Sequence, residues 1–263
     1  MAAMRARRPR LGQHFLVDPD LRRRVVEAAG IGAEDEVLEI GAGPGVLTVD
    51  LVRRARRVVA VEIDPGLATR LRAAVPGAEV VNDDVLRLDL ARWFPDGGEV
   101  VVGNIPYYLT GALIRRLLGS EPRPRRLSLV VQREVARRWC GLDGWGLSTL
   151  VVQVFARPRI ELELPPTAFA PPPGVTSALV VMDVRPRPAV EIADLDAFFR
   201  FAETVFRFRR KQLRSALARA LRTPATRAEA LVRRAGIDPE RRAETLTLAE
   251  WERLFGVAGG WGR

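Results

Sequence analysis

Four short apolar runs, "EVLEI" (36–40), "RVVAVEI" (57–63), "AEVV" (78–81) and "GEVVVG" (98–103), recur along the chain, each followed by polar or Gly-rich residues. Stretches with helical spacing lie between them, such as Val46 to Val52 and Leu67 to Val75. Strands alternating with helices pair in parallel, because each helix carries the chain back to the starting edge of the sheet. The pattern therefore predicts an α/β fold. A fifth run, "LSLVVQ" (127–132), follows the helix-like "LTGALIRRLLG". "LSTLVVQVFA" (147–156) and "SALVVMDV" (177–184) are expected as an antiparallel closing pair, since the proline-dense segment between them is too short for a crossover helix. After "RPRP" (185–188) no strand pattern occurs, and from Asp194 onward the spacing is helical, broken at "TPAT" and "GIDP". With 263 residues there is chain enough for two cores. Residues 1–186 are expected to form the sheet domain with a basic N-terminal arm, and 187–263 a small all-helical domain.

Charge narrows the partners. The net charge is +10, and Lys211 is the only lysine, so nearly all the positive charge is guanidinium. Arginine pairs bidentately with phosphate and stacks on bases, which favours a nucleic-acid partner. The arginines cluster as "RARRPR" (5–10), "RPRR" (123–126) and "RFRRKQLR" (207–214). Arg7, Arg8, Arg10, Arg209, Arg210, Lys211 and Arg214 are the candidate phosphate contacts. One cysteine, Cys140, excludes an internal disulfide, and with one histidine, His14, no Cys/His zinc cluster can be assembled. No metal is expected. The cationic start lacks the apolar segment of a secretory signal, and no apolar stretch is long enough to cross a bilayer, so a cytoplasmic protein without a membrane partner is expected.

In an open parallel sheet, ligands bind beyond the carboxyl ends of the strands. The first strand runs into "GAGPG" (41–45), where Gly41 and Gly43 let backbone approach a ligand closely. A dinucleotide fingerprint would need glycine where Val46 stands, so pyrophosphate binding is not supported. The second strand ends in Glu62, about 20 residues on, where an acidic residue receives ribose hydroxyls. The third ends in "NDDVL", which brings Asp83 and Asp84 within reach of an adenine amino group, although either could instead cap a helix. A cofactor that contains adenosine, lacks phosphate and carries positive charge fits all three strand ends. S-adenosylmethionine is such a molecule.

"VLEIGAGPGVLT", "VEIDP", "NDDVL" and "GNIPYYLT" resemble the successive motifs of Rossmann-like methyltransferases, and the Asn-Ile-Pro-Tyr form is that of enzymes acting on an exocyclic amine. "LGQHFLVD", "VQREVARR" (131–138), "FAPPPGVTSALV" (169–180), "FRFRRKQLRSAL" (206–217) and "RAETLTLAEWERL" (242–254) resemble the ribosomal RNA adenine dimethyltransferases of the small-subunit type. The resemblance runs nearly end to end. It implies a Rossmann-like S-adenosylmethionine-dependent methyltransferase sheet with a small C-terminal all-helical domain. It also implies N6-dimethylation of two adjacent adenosines in a loop near the 3' end of small-subunit RNA, in an assembling subunit, by a monomer. By the same resemblance Gln13, His14 and Leu16 lie over the cofactor, Ile63 and Val85 lie beside it, and Phe169 covers one face of the target adenine. Two features depart from the pattern: Tyr108 stands where many relatives have Asn, and the loop at 140–149 is short.

The tetrad at 104–107 has a chemical logic of its own. An adenine amino nitrogen is a poor nucleophile because its lone pair is delocalised into the ring. The side-chain carbonyl of Asn104 can accept one amine hydrogen, and Pro106 biases Ile105 towards an extended conformation that can turn its carbonyl to the other. Tyr107 offers a ring to the base. Asn104 also borders the cofactor. Two other functions stay open: methylation of large-subunit RNA of the antibiotic-resistance kind, and a non-catalytic RNA-binding assembly factor on the same fold.

Overall fold

The computed structural model describes residues 14–119 and 121–259; Arg7, Arg8, Arg10 and Gln13 lie outside the described residues. The chain opens with strand β1 (Phe15–Leu16) and helix α1 (Pro19–Ala28). Alternation follows through β2 (Glu36–Ile40), α2 (Thr48–Leu51), β3 (Arg57–Val61), α3 (Pro65–Ala74), β4 (Glu79–Val81), α4 (Leu90–Trp93), β5 (Val100–Asn104), α5 (Thr110–Leu118) and β6 (Arg126–Gln132). Next come α6 (Arg133–Trp139), α7 (Leu147–Phe155), β7 (Ala156–Leu164), β8 (Phe169–Ala170) and β9 (Ser177–Val184). Helices α8 (Leu195–Phe206), α9 (Leu213–Leu221), α10 (Ala225–Arg234) and α11 (Leu248–Val257) complete the described chain.

Local chemistry starts the helices where the sequence allows. Asp18 accepts from Leu21 N at 2.9 Å with Pro19 in the first turn of α1. Asp64 accepts from Gly66 N and Leu67 N, with Pro65 opening α3. A carboxylate there meets otherwise unpaired N–H groups, and proline lacks the N–H that would be orphaned.

The seven-stranded sheet has the order β4-β3-β2-β5-β6-β9-β7. Strands β2 to β6 are parallel, whereas β9 runs antiparallel to both β6 and β7. Alternate side chains divide between two cores. Leu38, Ile40, Val59, Val61, Val101 and Leu129 face α5, α7 and, without a break, the buried faces of the C-terminal helices. Val37, Val58, Val100, Val102 and Val130 face the other way, against Val25 and Val26 of α1 and against Leu47 and Leu51.

One expected strand is a helix. Residues 147–155 form α7, and the outer strand of the closing pair is Ala156–Leu164. Thr149, Leu150, Val151, Val152, Val154 and Phe155 are all buried, and a run that is apolar on every side has no periodicity to separate helix from strand. The true strand was obscured by its polar face and by Pro158, which is tolerated because β7 is an edge. The antiparallel pairing itself is present, as β7 with β9.

Gly103 sets the spacing of the two central strands. It pairs with Ile40, and a Cβ there would stand 2.7 Å from Ile40 O and 2.7 Å from Ile105 Cδ1. Gly103→Ala is therefore expected to destabilise the fold by about 1–3 kcal/mol through overpacking. Urea unfolding checks this, and an unchanged midpoint would mean that the strands do not need glycine there.

Candidate active site

Strand order reverses between β2 and β5, and a crevice opens at their carboxyl ends. Its walls include His14, Phe15, Gly41, Glu62, Ile63, Asp83, Asp84, Val85 and the run Asn104 to Leu109. Gly41 is at φ +71°, and a Cβ there would project to within 3.6 Å of Asn104 O. Gly43, at φ +57°, donates its N–H to Glu62 Oε2 at 2.8 Å, and a Cβ on it would meet Phe15 Cε1 at 2.7 Å. Only glycine lets the loop pass between that carboxylate and that ring.

The carboxylates are held at the strand ends. Glu62 is 2 % exposed, and its Oε1 accepts from Asp64 N at 2.8 Å. Asp84 Oδ1 accepts from Leu86 N at 3.0 Å and Asp83 Oδ1 from Asp84 N at 2.7 Å, so both fix their own loop while lining the crevice. The sequence left capping and ligand binding as alternatives for these two; the geometry combines local hydrogen bonding with a place in the wall. Although the chain is rich in arginine, none of the lining residues is Arg or Lys. Three carboxylates without a guanidinium repel phosphate and suit ribose hydroxyls, amines and a sulfonium. This donor set fits S-adenosylmethionine and not a dinucleotide.

Behind the glycine loop, Glu39 is 1 % exposed. Burial, with a smaller push from the charge of Glu62 and against a favourable interaction with Thr48, raises its carboxyl pKa to about 8. Glu39 Oε2 and Thr48 Oγ1 both lack a hydrogen-bond partner. A protonated Glu39 adds no second negative charge beside Glu62.

The tetrad is mounted on the centre of the sheet. Asn104 ends β5 opposite Val130, Ile105 N donates to Val130 O at 3.0 Å, and Ile105 is 1 % exposed. Pro106 sits at φ −54°, ψ 130°, before a single 3-10 turn over Tyr107–Leu109. Asn104 Nδ2 donates to His14 O at 2.6 Å. A carbonyl can only accept, so this contact fixes which end of the carboxamide is which and leaves Oδ1 as the acceptor available to a ligand. The Tyr107 hydroxyl shares a 2.9 Å hydrogen bond with Ser177 Oγ, and its ring lies against His14 at 6.0 Å between centroids and 27° between planes. His14 Nδ1 donates to Pro171 O at 2.7 Å, so the proton resides on Nδ1.

The crevice therefore gathers His14, Gly41, Glu62, Ile63, Asp84, Val85, Asn104, Ile105, Pro106 and Tyr107. Gly43, which sits behind Glu62 and Phe15, is not part of its wall, and neither are Leu16 and Phe169. They are 2 % and 4 % exposed and pack together in the core that contains Leu164 and Leu179. The cause is register: β1 pairs antiparallel with β8, Leu16 opposite Phe169 and Phe15 opposite Ala170, so the first pair points inward and Phe15 takes the crevice side. Phe169 thus offers no face to a base here, and Tyr107 is the aromatic wall. Phe15, Pro171 and Ser177 went unread in the sequence.

Away from the crevice, Arg209, Arg210 and Lys211 are exposed on the turn between α8 and α9 and make no ion pair among the described residues. Arg214 differs: it lies 3.7 Å from Glu229 and 3.9 Å from Glu240. Among the described residues there is no acidic, histidine or cysteine group arranged to hold a metal, and no helix long and apolar enough to cross a membrane.

Comparison with known proteins agrees with this geometry. The family described as Ribosomal RNA adenine dimethylase matches residues 4–258. Ribosomal RNA small subunit methyltransferase A of Pelotomaculum thermopropionicum is 39% identical, over 96% of this chain and 92% of the relative. The protein of that description from Dehalococcoides mccartyi is also 39% identical, over 95% of this chain and 88% of the relative. Among solved structures, the 23S rRNA methyltransferase ErmE superposes with a TM-score of 0.72 at 31% identity, covering 92% of this chain and 98% of that one. A dimethyladenosine transferase from Plasmodium falciparum superposes with a TM-score of 0.76 over 94% and 98% of the two chains; at 22% identity it speaks to the fold alone.

The raised pKa of Glu39 makes stability depend on pH. The folded state keeps the proton between the ordinary carboxyl value of 4.5 and about 8, while the unfolded state has released it. This contribution is fully present below pH 4.5 and is lost as pH rises through about 8. Glu39→Gln should therefore gain stability relative to the parent as pH rises from 5 to 8, read as urea midpoints at matched ionic strength. A constant difference across that range would show that Glu39 is charged in the fold.

Proposed function

The chain belongs to the ribosomal RNA adenine dimethylase family, and from that membership we propose that this S-adenosylmethionine-dependent methyltransferase dimethylates the amino groups of two adjacent adenosines in a loop near the 3' end of small-subunit RNA, in a subunit under assembly. The observation that carries the chemistry is the bond from Asn104 Nδ2 to His14 O, which leaves Oδ1 as the acceptor for the ligand. S-adenosylmethionine, when bound, supplies an electrophilic methyl group. Gly41 lets backbone approach it, Glu62 receives its ribose hydroxyls, Asp84 meets its adenine amino group, and Ile63 and Val85 flank its base. Asn104 Oδ1 accepts one hydrogen of the target amine and the Ile105 carbonyl the other, drawing nitrogen towards pyramidal geometry and its lone pair out of the ring. Tyr107 stacks on the base, a contact of roughly 1–3 kcal/mol. The base reaches this slot only from a single strand or by flipping out of a duplex. No side chain need act as base, because the methylated ammonium is acidic enough to lose its proton to water.

Three further points rest on the same reading. We place the boundary of the helical RNA-binding domain at 187, with Arg209, Arg210 and Lys211 as phosphate contacts and Arg214 in a supporting role. The small subunit is favoured because the 39% identical relatives carry that description, whereas the large-subunit enzyme is 31% identical. We propose that it acts as a monomer.

Asn104→Ala should lower turnover on the order of 10²–10³-fold, the scale seen when one preorganised hydrogen-bonding group is removed from a reaction centre. RNA and cofactor affinity should change far less, because the interaction strengthens as nitrogen becomes pyramidal. The assay incubates protein and labelled cofactor with unmethylated small-subunit particles or naked large-subunit RNA and identifies the nucleosides by mass spectrometry. Dimethyladenosine confined to large-subunit RNA would overturn the proposed substrate, and methylation of neither would favour a binding factor.

Replacing Arg209 and Arg210 together by Glu should weaken RNA binding. It should also flatten the dependence of log affinity on log salt by about 0.7–0.9 for each phosphate no longer neutralised. Cofactor affinity, measured by calorimetry, should stay within twofold. An unchanged salt slope would make these arginines an ordinary solvated surface.

A further inference from the structure

We propose that Tyr108 is a second base-stacking platform, outside the slot, that holds the nucleobase next to the target adenine; the proposal rests on the RNA-adenine reading above. Tyr108 is 67 % exposed yet belongs to the wall of the crevice, immediately after Tyr107. Among the described residues its ring has no aromatic neighbour and its hydroxyl no hydrogen-bond partner. Tyr107, by contrast, faces inward, tied to Ser177 and stacked on His14. The two tyrosines divide the inside of the crevice from its rim.

The backbone beneath Tyr108 is held. Leu109 N donates to Pro106 O at 2.9 Å, Thr110 Oγ1 donates to Tyr107 O at 3.1 Å, and α5 begins at once with Leu113, Ile114 and Leu117 buried behind it. A tyrosine on such a mount loses little freedom on binding, since only two side-chain torsions remain.

Charge argues for a base as the occupant. Glu62, Asp83 and Asp84 make this end of the sheet hostile to phosphate, and no lining residue is Arg or Lys. A strand whose target base is in the slot must therefore be gripped at the rim by something other than ion pairing. An exposed aromatic ring does this, because every base has a π face. The nucleotide that reaches it is the neighbour of the one inserted, so where two adjacent adenosines are targets, Tyr108 holds one while the other reacts.

The test uses the full chain and a hairpin RNA whose loop presents two adjacent adenosines, one replaced by 2-aminopurine. Stacking should quench 2-aminopurine in the parent protein and in Tyr108→Phe. Quenching should be lost in Tyr108→Ala and Tyr108→Asn, and absent when the probe lies several nucleotides away. Tyr108→Ala should raise the RNA dissociation constant about 5- to 150-fold, the equivalent of one base stack, while cofactor affinity stays within twofold. RNA affinity within twofold of the parent for the Ala variant would overturn the platform, as would a Phe variant as weak as Ala, since the hydroxyl and not the ring would then matter. Tyr108-dependent quenching without methylation of any RNA would uphold the platform and overturn the proposed reaction. Failure of the parent to bind either the hairpin or unmethylated small-subunit particles would overturn both.

Discussion

A carboxamide is symmetrical in outline but not in chemistry, so everything proposed for the tetrad depends on which end of Asn104 faces the ligand. His14 O decides it by accepting from Nδ2 at 2.6 Å. One hydrogen bond contributes only about 0.5–1.5 kcal/mol net and could not by itself hold a two-residue strand against chain entropy. Burial of a leucine-sized side chain contributes about 1.5–3 kcal/mol. Leu16 and Phe169, both almost fully buried, are therefore what hold β1 down, and the polar contact orients a strand that packing has already seated. Core residues thus act on the reaction centre without touching it.

The same division of labour appears in the charges. A chain of net charge +10 keeps its arginines out of the crevice and places carboxylates there. On the proposed reading, phosphate-binding and cofactor-binding surfaces do not compete: RNA phosphates would be drawn to the exposed Arg209, Arg210 and Lys211 and turned away from Glu62, Asp83 and Asp84. The protonated state of Glu39 keeps that acidity moderate, since an ionised Glu39 beside Glu62 would raise the cost of burying either.

How far the sequence could be read follows from which residues announce their surroundings. Strands β2 to β6 were legible because their apolar runs alternate with helices, and the places of Gly41, Glu62, Asp84 and Asn104 in the crevice wall because each falls where a strand stops. Helix α7 was not, because burial on every side erases the period that would have identified it. Leu16 and Phe169 were assigned to the site by resemblance, but a two-residue strand turns on register, and register is settled only by the partner strand. Ser177 was invisible for the same reason: its bond to Tyr107 spans 70 residues of sequence.

Why a site with no strong base should need so rigid a mount follows from the magnitudes. Positioning two reactants can lower a barrier by about 7–11 kcal/mol, whereas any single acceptor in the tetrad contributes a few at most. Most of the gain must therefore come from holding geometry. Asn104 and Ile105 are placed accordingly: on a central strand with β2 on one side and β6 on the other, next to a glycine that admits no closer neighbour, their backbone bonded to Val130 and the following turn closed on α5. A displacement tolerable in a surface loop would here separate the two proposed acceptors from the target nitrogen. The parallel sheet is thus the part of the molecule that sets the geometry on which the chemistry depends.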